Sequence, residues 1–133
     1  MPFYHALVRP GLLADDAREG FANDVVEIHC GVTGAPPSFV HVLVTEDDAG
    51  RLGEDAEASI VGTIRAGRTD EQKAEMTGRM SEALARRAGV AAADVTATTR
   101  DIEASFTMEG GQLLPEPGSP EEEEWKLIGS AGS

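Results

Sequence analysis

The apolar positions of this chain change period along its length, and those changes divide it into elements. Phe3-Tyr4-His5-Ala6-Leu7-Val8 is a run of aromatic and branched residues that predicts a strand. Arg9-Pro10-Gly11 breaks it, and from about Ala14 the spacing becomes helical. Ala17, Phe21, Val25 and Ile28 recur at intervals of four, four and three, marking one apolar helix face. Asp15, Asp16 and Glu19 occupy its first turns, where the helix dipole favours acids, and Gly31 and Gly34 are expected to end it. Ser38 to Val44 is apolar at nearly every position, which predicts a second strand covered on both faces.

The acidic stretch Glu46 to Glu57 reads as an exposed connection, and Ser59 to Ile64 as a third strand. Arg65-Ala66-Gly67-Arg68 follows, and then a well-marked helix start. Thr69 and Gln72 stand at capping-box spacing, Met76, Met80, Ala83 and Leu84 form the apolar face, and Gly89 is the stop. Asp94 to Thr99 predicts a weaker fourth strand. The remainder is rich in turn residues, carries the acidic run Glu121 to Glu124, which reads as a solvated face, and is expected to lack fixed structure over its last few residues.

The two halves share an order: strand, Arg-x-Gly, helix, glycine stop, strand. The expected fold is therefore α/β (α+β), a tandem β-α-β repeat giving a four-stranded sheet with two helices on one face. We read residues 1–133 as one domain, with a first unit over 1–45, a second over 58–99 and a tail segment over 100–133. The strands are too apolar for the bare face to meet water, so a homo-oligomer is expected to cover it.

Composition narrows the partners. A net charge of −13 over 133 residues repels phosphate backbones and anionic membrane surfaces. No apolar run reaches the roughly 18 residues needed to span a bilayer. The N-terminus lacks a basic region followed by an apolar one, and the single cysteine, Cys30, suits a reducing compartment. These features predict a cytoplasmic protein that binds neither nucleic acid nor membrane. His5, His29 and His41 show no metal-ligand spacing, so no metal or cofactor is expected.

In so acidic a chain, Arg65 and Arg68 around a glycine at a strand-to-helix turn stand out. Backbone N–H groups and the positive end of the helix dipole meet there, and two guanidinium groups could grip a carboxylate. The alternative is two solvated arginines paired with Asp70, Glu71 or the acidic loop. His29 lies beside the apolar helix face, where a histidine is most often a core or capping residue. Glu109 precedes Gly110-Gly111 and, on its own, is an exposed loop acid. Met1-Pro2 permits removal of the initiator methionine, which would expose a secondary amine. An α-amino group titrates at about 7.7–8.0; cationic neighbours lower that value and a carboxylate raises it.

Taken in order, Pro2, Glu27-Ile28-His29-Cys30-Gly31-Val32-Thr33-Gly34, Thr63-Ile64-Arg65-Ala66-Gly67-Arg68-Thr69 and Glu109-Gly110-Gly111-Gln112-Leu113-Leu114-Pro115-Glu116-Pro117-Gly118 resemble the cis-3-chloroacrylic acid dehalogenase group of the tautomerase superfamily. The likeness spans almost the whole chain and includes the Glu-rich stretch to Trp125. It implies a homotrimeric, cofactor-free enzyme in which Pro2 carries a proton as acid or base. It further implies that Arg65 and Arg68 bind a small carboxylate substrate, that His29 orients it, and that Glu109 activates water. One position departs from that pattern. The dehalogenases place a tyrosine in the fourth strand, and here the equivalent is Thr98, which has no phenol. Loss of such a partner costs about 10² to 10⁴ in rate. Keto–enol tautomerisation, which needs only the amine and the cations, is therefore the expected reaction. Water addition to an unsaturated acid, dehalogenation included, is the alternative, and a non-catalytic anion-binding trimer is the second.

Overall fold

The computed structural model describes residues 1–131. The main sheet has the order β2-β1-β3-β4, with β1 at Phe3–Val8, β2 at His41–Glu46, β3 at Ala58–Arg65 and β4 at Val95–Ile102. Two long helices, α1 (Asp15–Thr33) and α2 (Asp70–Ala88), pack against one another over a single face of this sheet. Each β-α-β unit pairs its own strands in parallel, β1 with β2 and β3 with β4, and the units meet through antiparallel β1 and β3. A hairpin of β5 (Met108–Glu109) and β6 (Gln112–Leu113) follows, and then α3 (Pro120–Ala131).

The pleat decides what is buried. Tyr4, Ala6, Val8, Ile60 and Ile64 point to the helices and pack with Phe21, Val25, Met76, Met80 and Leu84. The opposite face is uncovered in a single copy, leaving Phe3 42% and Leu43 44% exposed. α2 begins as expected, with Thr69 Oγ1 accepting from the Gln72 backbone N–H and the Gln72 side chain accepting from Thr69 N–H.

Four expectations need correction. Ser38 belongs to a 3-10 turn over Pro37–Phe39 rather than to β2, because the preceding prolines hold the chain out of sheet geometry. β2 is an edge strand with Leu43 exposed, so this copy by itself covers only one of its two faces. α1 passes through Gly31 and ends only at Gly34, which takes the left-handed conformation and donates to Cys30 O. The tail is not all turns: α3 runs to Ala131, so the expected structureless end overlaps a helix, and its last two positions lie outside the described residues. Among the described residues no helix is long and apolar enough to cross a membrane.

Candidate active site

Antiparallel pairing of β1 with β3 sets Phe3 opposite Thr63, so the arginine turn after β3 lies at the N-terminal end of β1. The C-terminal end of α1, carrying His29, returns to the same end of the sheet. One rigid corner thus collects the chain start, the Arg65–Arg68 turn and His29. Pro2 is buried there and is pinned by His41 N–H donating to its carbonyl at 3.1 Å. The ammonium of Met1 pairs with Glu109 Oε1, which the β5–β6 hairpin holds over the corner.

His29 is buried and lies 2.7 Å from the Tyr4 hydroxyl through Nδ1. Burial, then the positive charges of Arg68 and the N-terminus, lower its pKa to about 4, so the ring is neutral at pH 7. Burial also raises the Tyr4 pKa, which keeps the hydroxyl protonated. A thioether 3.8 Å away is a poorer acceptor than an imidazole nitrogen at 2.7 Å. Tyr4 therefore donates to Nδ1 and leaves Nε2–H as the donor. Tyr4 fits there because its strand partner is Gly62, where an added Cβ would stand 2.4 Å from the ring. Sequence reasoning missed Tyr4. The available signal was a phenol on the helix-facing side of a strand, where its hydroxyl needs a partner.

This arrangement makes His29 a determinant of acid stability. An unfolded imidazole titrates at about 6.5, so between there and about 4 the unfolded chain binds a proton that the folded chain refuses. Its contribution to stability is complete above that window and is lost as pH falls through it, by at most about 1.4 kcal/mol per pH unit. Urea unfolding at pH 7 and pH 5 should show a smaller drop for His29→Gln than for wild type; equal drops would contradict a neutral buried His29.

The arginines differ from one another. Arg65 is 4% exposed and already engaged: it donates to Pro115 O at 2.6 Å and pairs with Glu122 of α3. Its guanidinium lies 4.7 Å from the centroid of the Trp125 ring, and its Nε is buried with no hydrogen-bond partner among the described residues. Burial opposes the Glu122 charge, but hydrogen bonds from Arg65 and the Gly118 N–H outweigh it and hold its pKa low. Glu122 is therefore no part of a solvated acidic face. Arg68 is half-buried and makes no hydrogen bond or ion pair among the described residues. Burial and the Arg65 charge lower its pKa, yet a guanidinium remains cationic at neutral pH.

The structure thus gathers Pro2, His29, Arg68 and Glu109, and sets Arg65 behind them against the tail. Thr98 is not among them. It is exposed on the open sheet face, paired with Val61, whereas Pro2 and His29 belong to the helix side. His5 bonds Thr45 Oγ1 at 2.7 Å and His41 is exposed at the start of β2.

Comparisons with known proteins bear on the family and the fold. Residues 1–129 match the family model described as "putative oxalocrotonate tautomerase enzyme". The crystal structure of N1, a member of the cis-3-chloroacrylic acid dehalogenase family, is 31% identical with a TM-score of 0.82, covering 92% of this chain and 89% of that one. Native Ps01740 is 32% identical with a TM-score of 0.74, covering 80% and 99%. Native fused 4-OT is 25% identical with a TM-score of 0.75, covering 84% and 94%. No curated protein matches by sequence. With its β-α-β repeat, its proline start and these relatives, the chain belongs to the tautomerase superfamily, in the cis-3-chloroacrylic acid dehalogenase-like group.

Proposed function

We propose that the chain, once Met1 is removed, is a proline-dependent tautomerase acting on small enol or unsaturated carboxylates. The observation that carries this reading is the meeting of the chain start with Glu109 on one side and with the charge of Arg68 and the His29 ring on the other. Removing Met1 moves the free amine back by one residue, about 3.8 Å between Cα atoms, onto the buried ring of Pro2.

Arg68 and the Nε2–H of His29 hold the substrate carboxylate. The amine takes the proton from the enol oxygen and returns it to the neighbouring carbon, while the C=C electron pair moves and the C–O bond becomes a carbonyl. The cation stabilises charge that develops on oxygen in a site sheltered from water. Arg65, neutralised by Glu122, acts behind Arg68 by fixing the turn. Water addition assisted by Glu109 is the second reading, since that carboxylate already reaches the chain start through Met1.

The fused 4-OT structures described as trimers support the assembly we propose, a homotrimer, which we assign to the cytoplasm. Three copies would cover the open face that carries Phe3, Leu43 and Thr98.

Arg68→Ala tests the reading. Loss of a charge-assisted contact costs about 1.5–3 kcal/mol, so kcat/KM for phenylenolpyruvate should fall about 10- to 100-fold, with Arg68→Lys between the two. A rate that is unchanged in Arg68→Ala would place the carboxylate elsewhere.

A further inference from the structure

Two guanidinium groups stand at one corner of the sheet, and the chain itself supplies a carboxylate to one of them. Glu122, in the first turn of α3, pairs with Arg65 through Oε2. Its other oxygen, Oε1, accepts from the Gly118 N–H at 3.2 Å and lies 3.8 Å from Lys126 Nζ. Arg65 donates its other terminal nitrogen to Pro115 O and is covered by the Trp125 ring. Arg65 and Glu122 are both buried, so water screens them far less than it would a surface pair.

Packing of α3 does not call for such a pair. Desolvating two ions opposes their attraction, and apolar residues of similar volume generally serve a buried contact as well or better. The pair is also incomplete. A carboxylate that grips the guanidinium fork makes two parallel bonds, whereas Glu122 makes one and Arg65 Nε is left with no hydrogen-bond partner among the described residues. What Glu122 does change is the charge shown to a ligand. Its negative charge acts on Arg68 as well as on Arg65. A ligand with one carboxylate needs one cation, and Arg68 supplies it. A second carboxylate on the same ligand would lose its hydration and meet an arginine already neutralised, in a chain of net charge −13.

We infer that Glu122 is a specificity-determining residue: by occupying Arg65 it confines the site to ligands with a single carboxylate, and its removal opens the site to dicarboxylates. The inference rests on the tautomerase reading and narrows its substrate class to monoanions. One of the two arginines expected to grip the substrate is thus answered from within the chain, by a helix that follows the β5–β6 hairpin.

The probes are succinate, glutarate and adipate, each beside its monoamide, which has the same length and one charge fewer. Each is titrated by calorimetry, which needs no turnover, and as an inhibitor of phenylenolpyruvate turnover. In the wild type every monoamide should bind at least as tightly as its dicarboxylate. In Glu122→Gln the dicarboxylate of at least one length should gain about tenfold or more relative to its monoamide, the worth of one charge-assisted contact. Arg65→Met/Glu122→Leu, which removes both charges, should keep the wild-type ratio. A loosened α3 would weaken both members of a pair alike, so the ratio reports charge and not packing. An unchanged ratio in Glu122→Gln would overturn the inference. The same gain in the double variant would also overturn it, because Lys126 and not Arg65 would then hold the second carboxylate. Should Glu122→Gln fail to fold, the wild type still decides: a dicarboxylate bound tenfold more tightly than its monoamide contradicts the inference. If Pro2→Ala keeps full turnover while Glu122→Gln gains the dicarboxylate by calorimetry, the proposed reaction fails and the charge selection survives.

Discussion

Pro2→Ala should lower turnover of phenylenolpyruvate by about 10² to 10⁴, the usual cost of losing a positioned proton carrier. Alanine also permits removal of Met1, so the variant still presents an amine at the same end of β1. What changes is its character. The proline nitrogen is fixed in a ring, and the residue is buried and anchored through the His41 N–H. The alanine nitrogen is primary, turns freely and is better hydrated, so it seldom points at the substrate carbon. Folding should be unaffected, because Pro2 donates no backbone hydrogen bond and its carbonyl bond to His41 survives the change. Unfolding midpoints measured beside the rates would show this. Full activity in Pro2→Ala would mean that turnover does not depend on the proline amine, and no turnover in wild type or variant would favour a non-catalytic anion-binding module.

The second large effect separates the two reactions open to this site. Glu109→Gln keeps size and hydrogen bonding but removes the group able to take a proton from water. Hydration of a 3-halo- or alkynoic acid should fall by about 10² to 10⁴, while enol turnover stays within a few-fold of wild type. Equal loss of both activities would mean that Glu109 serves the amine itself, through the contact it makes with the chain start. Thr98 bears on the same division. It lies on the open sheet face, where it cannot assist Glu109 of its own chain, and this weighs toward tautomerisation.

Local signals in the sequence carried the framework. The four-four-three spacing of α1, the Thr69–Gln72 box and the branched strands each depend on neighbours within one element, and each matched the structure. Pro2, His29, Arg68 and Glu109 were nameable because the family pattern quotes them, but their convergence comes from the antiparallel β1–β3 register. Tyr4 stayed hidden because its partners, Gly62 and His29, are remote in sequence. The part of Glu122 was hidden for a stronger reason. Within the run Glu121 to Glu124 nothing local marks one carboxylate as buried; only the fold brings α3 over Arg65. That contact also changes the expected carboxylate clamp. A guanidinium already neutralised and covered by an indole ring leaves Arg68 as the free cation among the described residues of this corner.

Every step of the proposed chemistry requires a free amine on Pro2, because a peptide bond to Met1 would leave that nitrogen neither basic nor able to carry a proton. The intact mass of the purified chain tests this directly. The account predicts a mass for residues 2–133, lower than the full sequence by one methionine residue. A chain that retains Met1 and still turns over phenylenolpyruvate would contradict it.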